Sequence, residues 1–185
     1  FNVFLGLINA VDSKDNYTYI HSNDVAKYAR KIGEKLGLSK DDLEILELAG
    51  KLHDIGKIGI PSEILKKPGP LTEEEWKIIK EHPRLGYLIL NQLPKMEKLL
   101  QAILYHHERY DGKGYPQNLE GKEIPLIARI LAVADAYSAM KSDRPYRKGL
   151  SKREIINEIK KNMGKQFDPE IAQVFLELLE KGEIE

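Results

Sequence analysis

Two neighbouring histidines open the run HHERYDGKGYP (residues 106–116), and a third stands beside an aspartate in LHDIGK (52–57). The chain holds five histidines in all: His21, His53, His82, His106 and His107. Each falls on the apolar side of its local pattern. His106 continues a stripe through Leu99, Ala102 and Ile103, and His107 one through Leu100, Ile103 and Leu104. His53 follows Ala49, His21 precedes Val25, and His82 follows Ile79, all at helical spacing. Asp135 lies between Leu131 and Ala139 in the most apolar stretch. A lone histidine at such a position is ordinarily a hydrogen-bonded core residue, but here none is spent on a solvated face. A buried charge must be paired or bound to metal.

The donor types narrow the chemistry. With no cysteine in the chain, imidazole and carboxylate ligands suit iron, manganese, nickel, cobalt or zinc at high coordination number. Five histidines with two or more aspartates exceed what one ion needs, and a carboxylate-bridged pair of ions is the economical arrangement. Two such ions clamp the attacking and leaving oxygens of a phosphoryl transfer. Lys57 closes the same segment as His53, where a cation favours an anionic substrate; a solvated surface charge is the competing reading. Arg144 and Arg147, in SDRPYR, suit phosphates through forked hydrogen bonds, unless they are surface ion pairs. Tyr115 offers a ring for stacking on a base and a hydroxyl for a phosphate. Gly112 and Gly114 let their loop fold sharply and bring backbone close to a ligand, although DGKGYP also reads as a mere tight connection. Glu108 and Asp111 receive no task beyond solvation or support.

Helices must position these groups. The spacing predicts one over HSNDVAKYARKIGEKLG, stopped at Gly37, and a second over KDDLEILELAGKLHDIG, capped by Ser39. TEEE at 72–75 opens a third with a capping box, and Pro83 interrupts it. MEKLLQAILYHHE is a fourth, and EIPLIARILAVADAYSAM the longest and most buried. Ser151 with Glu154 repeats the capping box, and Asp168–Pro169 starts a last helix. Two Gly- and Pro-rich segments, 56–70 and 109–123, resist a helical assignment. The expected fold is therefore all-α: a helical bundle with two long functional loops.

Composition sets the outer limits. The 185 residues fit one domain, and lysine plus arginine equals aspartate plus glutamate at 29 each. Zero net charge argues against binding to a nucleic-acid polymer. The lack of cysteine excludes a disulfide framework, and no apolar run is long enough to insert this segment in a membrane. A cytoplasmic location is the expectation. The apolar stripe Phe1, Phe4, Leu5, Ile8, Val11 suggests a helix over 1–14 leading in from a cut upstream sensory or regulatory region; an ordinary first helix packed on the core is the rival reading.

Read together, LHDIGK and HHERYDGKGYP resemble the HD superfamily of metal-dependent phosphohydrolases, specifically its HD-GYP subfamily. The likeness runs from about Asp12 to Phe175 and takes in HDIGKIGIPSEILKKPGPLT, EHPRLGY, IARILAVADAY, SDRPYR and FDPEI. It implies a single HD-GYP domain over 1–185 that opens cyclic di-GMP to pGpG or GMP, with a hydroxide shared by two ions as nucleophile. It further implies two divalent ions, iron or manganese. Carried across, Asp54 bridges the ions, His21, His53 and Asp135 complete one site, and His82, His106 and His107 complete the other. Lys57 assists the leaving group, and Tyr115, Arg144 and Arg147 contact ligand phosphates. Diguanylate cyclase domains are implied partners of the GYP loop. The chain departs from the family pattern in three places. Tyr17 stands where some relatives place a third-metal glutamate, so two ions are expected. Ser138 replaces a frequent aspartate, and Arg147 a frequent lysine. The remaining alternatives are another HD-type hydrolase acting on a different cyclic dinucleotide, an alarmone or a nucleoside triphosphate; a non-hydrolytic cyclic di-GMP sensor; and a di-iron oxygen-using protein.

Overall fold

Local capping chemistry decides where four of the helices begin. Helix α1 spans Thr18–Lys35. Helix α2 spans Lys40–Leu52 and starts where the Ser39 hydroxyl accepts the Asp42 N–H. A 3-10 turn at Ile55–Gly59 and a one-turn helix α3, Ser62–Leu65, follow. Reciprocal Thr72–Glu75 hydrogen bonds open α4, Glu73–Ile79. Helix α5 is His82–Leu90, and α6 is Glu97–Tyr105. The buried α7 covers Leu126–Lys141. Ser151 and Glu154 cap α8, Lys152–Asn162, and Asp168 caps α9, Pro169–Glu180. These elements come from a computed structural model that describes residues 18–94, 96–143 and 148–184. Among the described residues there is no β-strand beyond two isolated bridges, Asp111 with Glu120 and Met163 with Phe167. The all-α expectation holds, and the helix expected over 1–14 lies outside the described residues.

Three local readings needed adjustment. Segment 56–70 is not without helix: the Asp54 carbonyl accepts the Lys57 N–H, closing the 3-10 turn, and α3 follows Pro61. Pro83 does not break a continuous helix. The break precedes it at Lys80–Glu81, and Pro83 occupies the first turn of α5, where an N–H has no intrahelical acceptor to lose. Helix α6 ends at Tyr105, so His106 is its C-cap and His107 lies beyond it.

Two close crossings set the site. Helix α1 packs on α2 and α7, burying Val25, Tyr28, Ala29 and Ile32 against Leu46 and Ala49. A side chain at Gly50 would meet the Ala26 Cα at 2.5 Å, so these two helices touch through backbone. His21 lies just over a turn before that crossing and His53 just under a turn after it, and their ring centroids are 5.5 Å apart. The second crossing joins the 3-10 turn to α5, where a Cβ on Gly56 would stand 1.8 Å from the His82 carbonyl oxygen. It brings Asp54 to His82. Helix α7 is buried on most sides, through Ile127, Ile130, Leu131, Val133, Ala134, Tyr137 and Ser138, and carries Asp135 at its centre. The 109–123 loop is tied to the turn before α9, since Tyr110 N–H donates to the Gln166 carbonyl and Asp111 N–H to that of Lys165.

Candidate metal centre

Helix ends and one helix centre deliver eight side chains to one place. His21 comes from α1, His53 from the C-cap of α2, Asp54 and Lys57 from the 3-10 turn, and His82 from the first residue of α5. His106 and His107 leave the end of α6, and Asp135 projects from α7. Two groups of ligand atoms, His82 with His106 and His107, and His21 with His53 and Asp54, each lie within 4.8 Å of one another. Asp54 links them. Its Oδ2 is 3.4 Å from His53 Nε2, and its Oδ1 is 3.4 Å from His82 Nε2. Asp135 Oδ1 approaches His21 Nε2 at 3.1 Å and His53 Nε2 at 4.0 Å.

The hydrogen bonds behind the rings determine which nitrogen faces inward. The Nδ1 atoms of His53, His82 and His106 lie 2.8, 2.8 and 2.7 Å from the carbonyl oxygens of Gly50, Ile79 and Ile103. A carbonyl only accepts, so each Nδ1 carries the proton and each Nε2 presents a lone pair. His21 is held differently, with Nδ1 2.9 Å from the Ser138 hydroxyl. The position that departs from the family pattern therefore still supports the ring, through an oxygen that both donates and accepts.

This arrangement fits cations. His82 Nε2 and His106 Nε2 face each other at 3.4 Å. With both protons committed to Nδ1, two lone pairs oppose each other there. His53 Nε2 is buried with no hydrogen-bond partner. Two nitrogens each about 2.1 Å from one ion and roughly 90–110° apart stand about 3.0–3.4 Å from each other. Divalent ions satisfy the opposed pair and the orphaned nitrogen while leaving every ring neutral.

The electrostatics agree. Burial alone would raise the Asp54 carboxyl, yet Lys57 and the imidazoles of His53, His82 and His21 hold it well below the ordinary carboxylate range. Burial likewise opposes ionisation of Asp135, but His21, His53 and His107 keep it far below its usual value. Burial pushes His106, His107 and His82 down, His107 to about 3, so these imidazoles are neutral and ready as ligands. His21 is also buried, but Asp135 raises it.

Around this centre, Lys57 Nζ sits 2.6 Å from Asp54 Oδ2 and is only partly exposed. The Tyr115 ring stacks on His107, with centroids 4.9 Å apart and planes at 26°. Burial and the carboxylates of Asp54 and Asp135 push its hydroxyl pKa up. His107 thus already covers part of the ring expected to stack on a base, and the hydroxyl is the group nearer the centre's charge. Gly114 has a structural reason for being glycine: a Cβ there would meet the Arg109 nitrogen at 2.3 Å and Glu108 Cα at 2.4 Å. Arg144 and Arg147 lie outside the described residues, as does Tyr17.

Sequence reasoning missed three participants. Lys80 places its ammonium 5.5 Å from the Tyr115 ring centroid; its position two residues before His82 was the available signal. Glu108 is buried rather than solvated. Gly56 was read as loop and is a packing requirement; only its place between Asp54 and Lys57 hinted at this.

Comparisons with known proteins bear on the family and the fold. Residues 6–171 match a family model described as HD domain. The chain is 42% identical over 167 residues to a cyclic di-GMP phosphodiesterase of Thermotoga maritima, covering 89% of this chain and 45% of the relative. It is 41% identical over 172 residues to the cyclic di-GMP phosphodiesterase response regulator RpfG of Xanthomonas campestris pv. campestris, covering 92% and 46%. The chain thus spans about half the length of these curated relatives. The fold is similar to the crystal structure of a cyclic GMP-AMP specific phosphodiesterase of V. cholerae, with a TM-score of 0.73 and 21% identity, covering 98% of this chain and 49% of the other.

Proposed function

From the premise that this chain belongs to the HD domain family, we propose that it hydrolyses cyclic di-GMP to pGpG, GMP or both. The observation that carries this reading is the Asp54 carboxylate, whose two oxygens each approach a different donor group. One group draws on His21, His53 and Asp135, the other on His82, His106 and His107, with Asp54 common to both. Two divalent ions, iron or manganese, suit this set of nitrogen and oxygen donors. When bound, they supply charge neutralisation at a phosphoryl group and activation of water at neutral pH.

The chain's own groups do the rest. Carbonyl anchors keep the imidazoles from turning, so the donor positions are set before substrate arrives. Lys57, on the turn that carries Asp54, gives its Nζ proton to the departing 3′ oxygen as water adds to phosphorus and the P–O3′ bond breaks; the proton that the water sheds passes to solvent and Lys57 is reprotonated from there. The Tyr115 hydroxyl, with Arg144 and Arg147, holds phosphate, and the backbone at Gly114 borders the same loop. The relatives' names support a cyclic dinucleotide as substrate. The same reading places the domain in the bacterial cytoplasm, as one HD-GYP domain over 1–185 beside a sensory or regulatory domain. Diguanylate cyclase domains are then candidate partners of the 109–123 loop. Among the described residues, no helix is long and apolar enough to cross a membrane.

The test is a substrate panel with the anaerobically loaded chain: cyclic di-GMP, 3′3′-cyclic GMP-AMP, cyclic di-AMP, a nucleoside triphosphate and an alarmone, with Asp54→Ala as the blank. The expected result is fastest turnover of cyclic di-GMP, absent in the blank along with the metal. Preference for another substrate, retention of cyclic di-GMP without product, or full activity of Asp54→Ala overturns the assignment.

A further inference from the structure

Glu108 is a buried carboxylate, 3% exposed, which the chemistry above does not use. Its neighbour Arg109 does not neutralise it, because that guanidinium grips Asp111 through two hydrogen bonds of 3.0 and 2.7 Å. The partners of Glu108 are backbone amides from further along the loop. Burial pushes the Glu108 carboxyl up; against this, Gln117 N–H donates to Oε1 at 2.7 Å and the nearby amides of Leu119 and Asn118 favour the charged form, while Oε2 is buried without a hydrogen-bond partner. Asn118 has a left-handed backbone, φ 58°. Successive amides around a left-handed residue form a concave nest that binds anions. Here the anion comes from the protein itself.

We propose that Glu108 is a positioning residue: its carboxylate fills the 117–119 amide nest and so holds Tyr115 in register with the metal centre. Tyr115 lies between two fastenings of the same loop. Before it, Gly114 packs directly on the Glu108–Arg109 backbone, and the Tyr115 N–H donates to the His107 carbonyl at 3.3 Å. After it, the nest closes on Glu108. The Asn118 side-chain amide also donates to the Gly114 carbonyl, joining the two fastenings. Glu108 directly follows His107, against which the Tyr115 ring stacks. A single carboxylate thus couples the end of the metal-bearing helix to the loop that presents the hydroxyl. Without it, the Gln117 amide loses its acceptor and the loop is free to leave the centre.

The kinetic part of the test rests on the phosphodiesterase reading; the exchange part does not. Glu108→Ala, Glu108→Gln, Tyr115→Phe and the Glu108→Ala/Tyr115→Phe pair are made in the metal-loaded chain. Without substrate, hydrogen exchange in residues 114–119 is expected to rise roughly ten- to a hundredfold in Glu108→Ala, at unchanged metal content. Glu108→Gln keeps one acceptor oxygen and falls between, which also preserves the test should the alanine variant not fold. With cyclic di-GMP, the KM of Glu108→Ala and of Tyr115→Phe rises while kcat stays within a few-fold, and the double variant is no worse than the poorer single one. Unchanged exchange, loss of metal, or additive effects in the double variant overturn the proposal. If the wild-type chain turns over no cyclic dinucleotide, the functional reading fails while exchange and metal content still decide the role of Glu108.

Discussion

Adding one methyl group at Gly56 should take the centre apart from behind. A Cβ there would lie 1.8 Å from the His82 carbonyl oxygen, 2.5 Å from the Gly86 nitrogen and 2.8 Å from the His82 carbonyl carbon. All three are backbone atoms at the start of α5, so no rotamer change relieves the contact. Reaching ordinary separation requires the first turn of α5 to retreat by about 1.5 Å, comparable to the displacement at which misplaced groups lose about a hundredfold in rate. His82 travels with that turn, away from Asp54 Oδ1 and His106 Nε2. Gly56→Ala is therefore expected to lower kcat/KM at least about a hundredfold and to release the ion held by His82, His106 and His107. The His21, His53 and Asp135 group sits on other helices and keeps its ion. Overpacking should also cost about 1–3 kcal/mol of stability, or roughly 2–10 °C in Tm for a chain of this size. Gly86→Ala is the control. Its Cβ would meet the γ-methyl groups of Ile103 at 2.9 Å and Ile55 at 3.1 Å, side-chain rather than backbone atoms, and the Gly56 nitrogen only at an ordinary 3.4 Å. That variant should lose some stability and keep both ions. Metal analysis, turnover and thermal melting of both variants decide the matter. A Gly56→Ala protein with two ions and near-normal turnover refutes the reasoning, as does a Gly86→Ala protein that is the worse of the two.

Other perturbations follow from the same geometry. Lys57→Ala should lower kcat by about 10²–10⁴-fold, the usual range for a lost general acid, while metal content stays intact; a normal kcat removes Lys57 from the reaction. Arg129→Ala strips the buried Asp168 carboxylate of its ion-pair partner and should destabilise the chain by about 3–5 kcal/mol with kcat unchanged. Denaturant titration and turnover check this, and a stability unchanged within error contradicts it. In metal-stripped protein, burial holds His106 and His107 neutral, His107 down to about 3, while the unfolded imidazoles take up protons near 6.5. The unfolded state thus gains protons that the folded state refuses, so stability falls as pH drops below 6.5. The loss at pH 5 is about 2 kcal/mol for His107, and His106 contributes in the same direction. His21, raised by Asp135 against its burial, offsets part of this. Denaturant midpoints at pH 7.5 and pH 5 measure it, and stability that is flat or rising toward pH 5 contradicts the assignment of neutral histidines.

Periodicity revealed the bundle because apolar stripes and caps are local signals: Ser39, Thr72–Glu75, Ser151–Glu154 and Asp168–Pro169 all start helices where their side chains imply. The histidine set was equally legible, since every ring lay on a stripe that had to face inward. What stayed hidden depends on contacts between distant segments. Gly56 reads as a turn residue until the His82 carbonyl is found against it. For Glu108 the sequence does not decide between solvation and support, because its partners are backbone amides nine to eleven residues later, with no side chain to betray them. The Ser138 bond to His21 spans more than half the chain, and no local pattern reports which ring nitrogen it will meet. The one-turn helix at Ser62–Leu65 was masked by the surrounding glycines and prolines.

The central claim is that Asp54 stands between two ions. Crystals of the chain loaded anaerobically with manganese or iron, measured at the absorption edge of that metal, test it most directly. The account predicts two anomalous peaks, one beside His21, His53 and Asp135 and one beside His82, His106 and His107, with a different Asp54 oxygen toward each. A single peak, or peaks remote from Asp54, would contradict it.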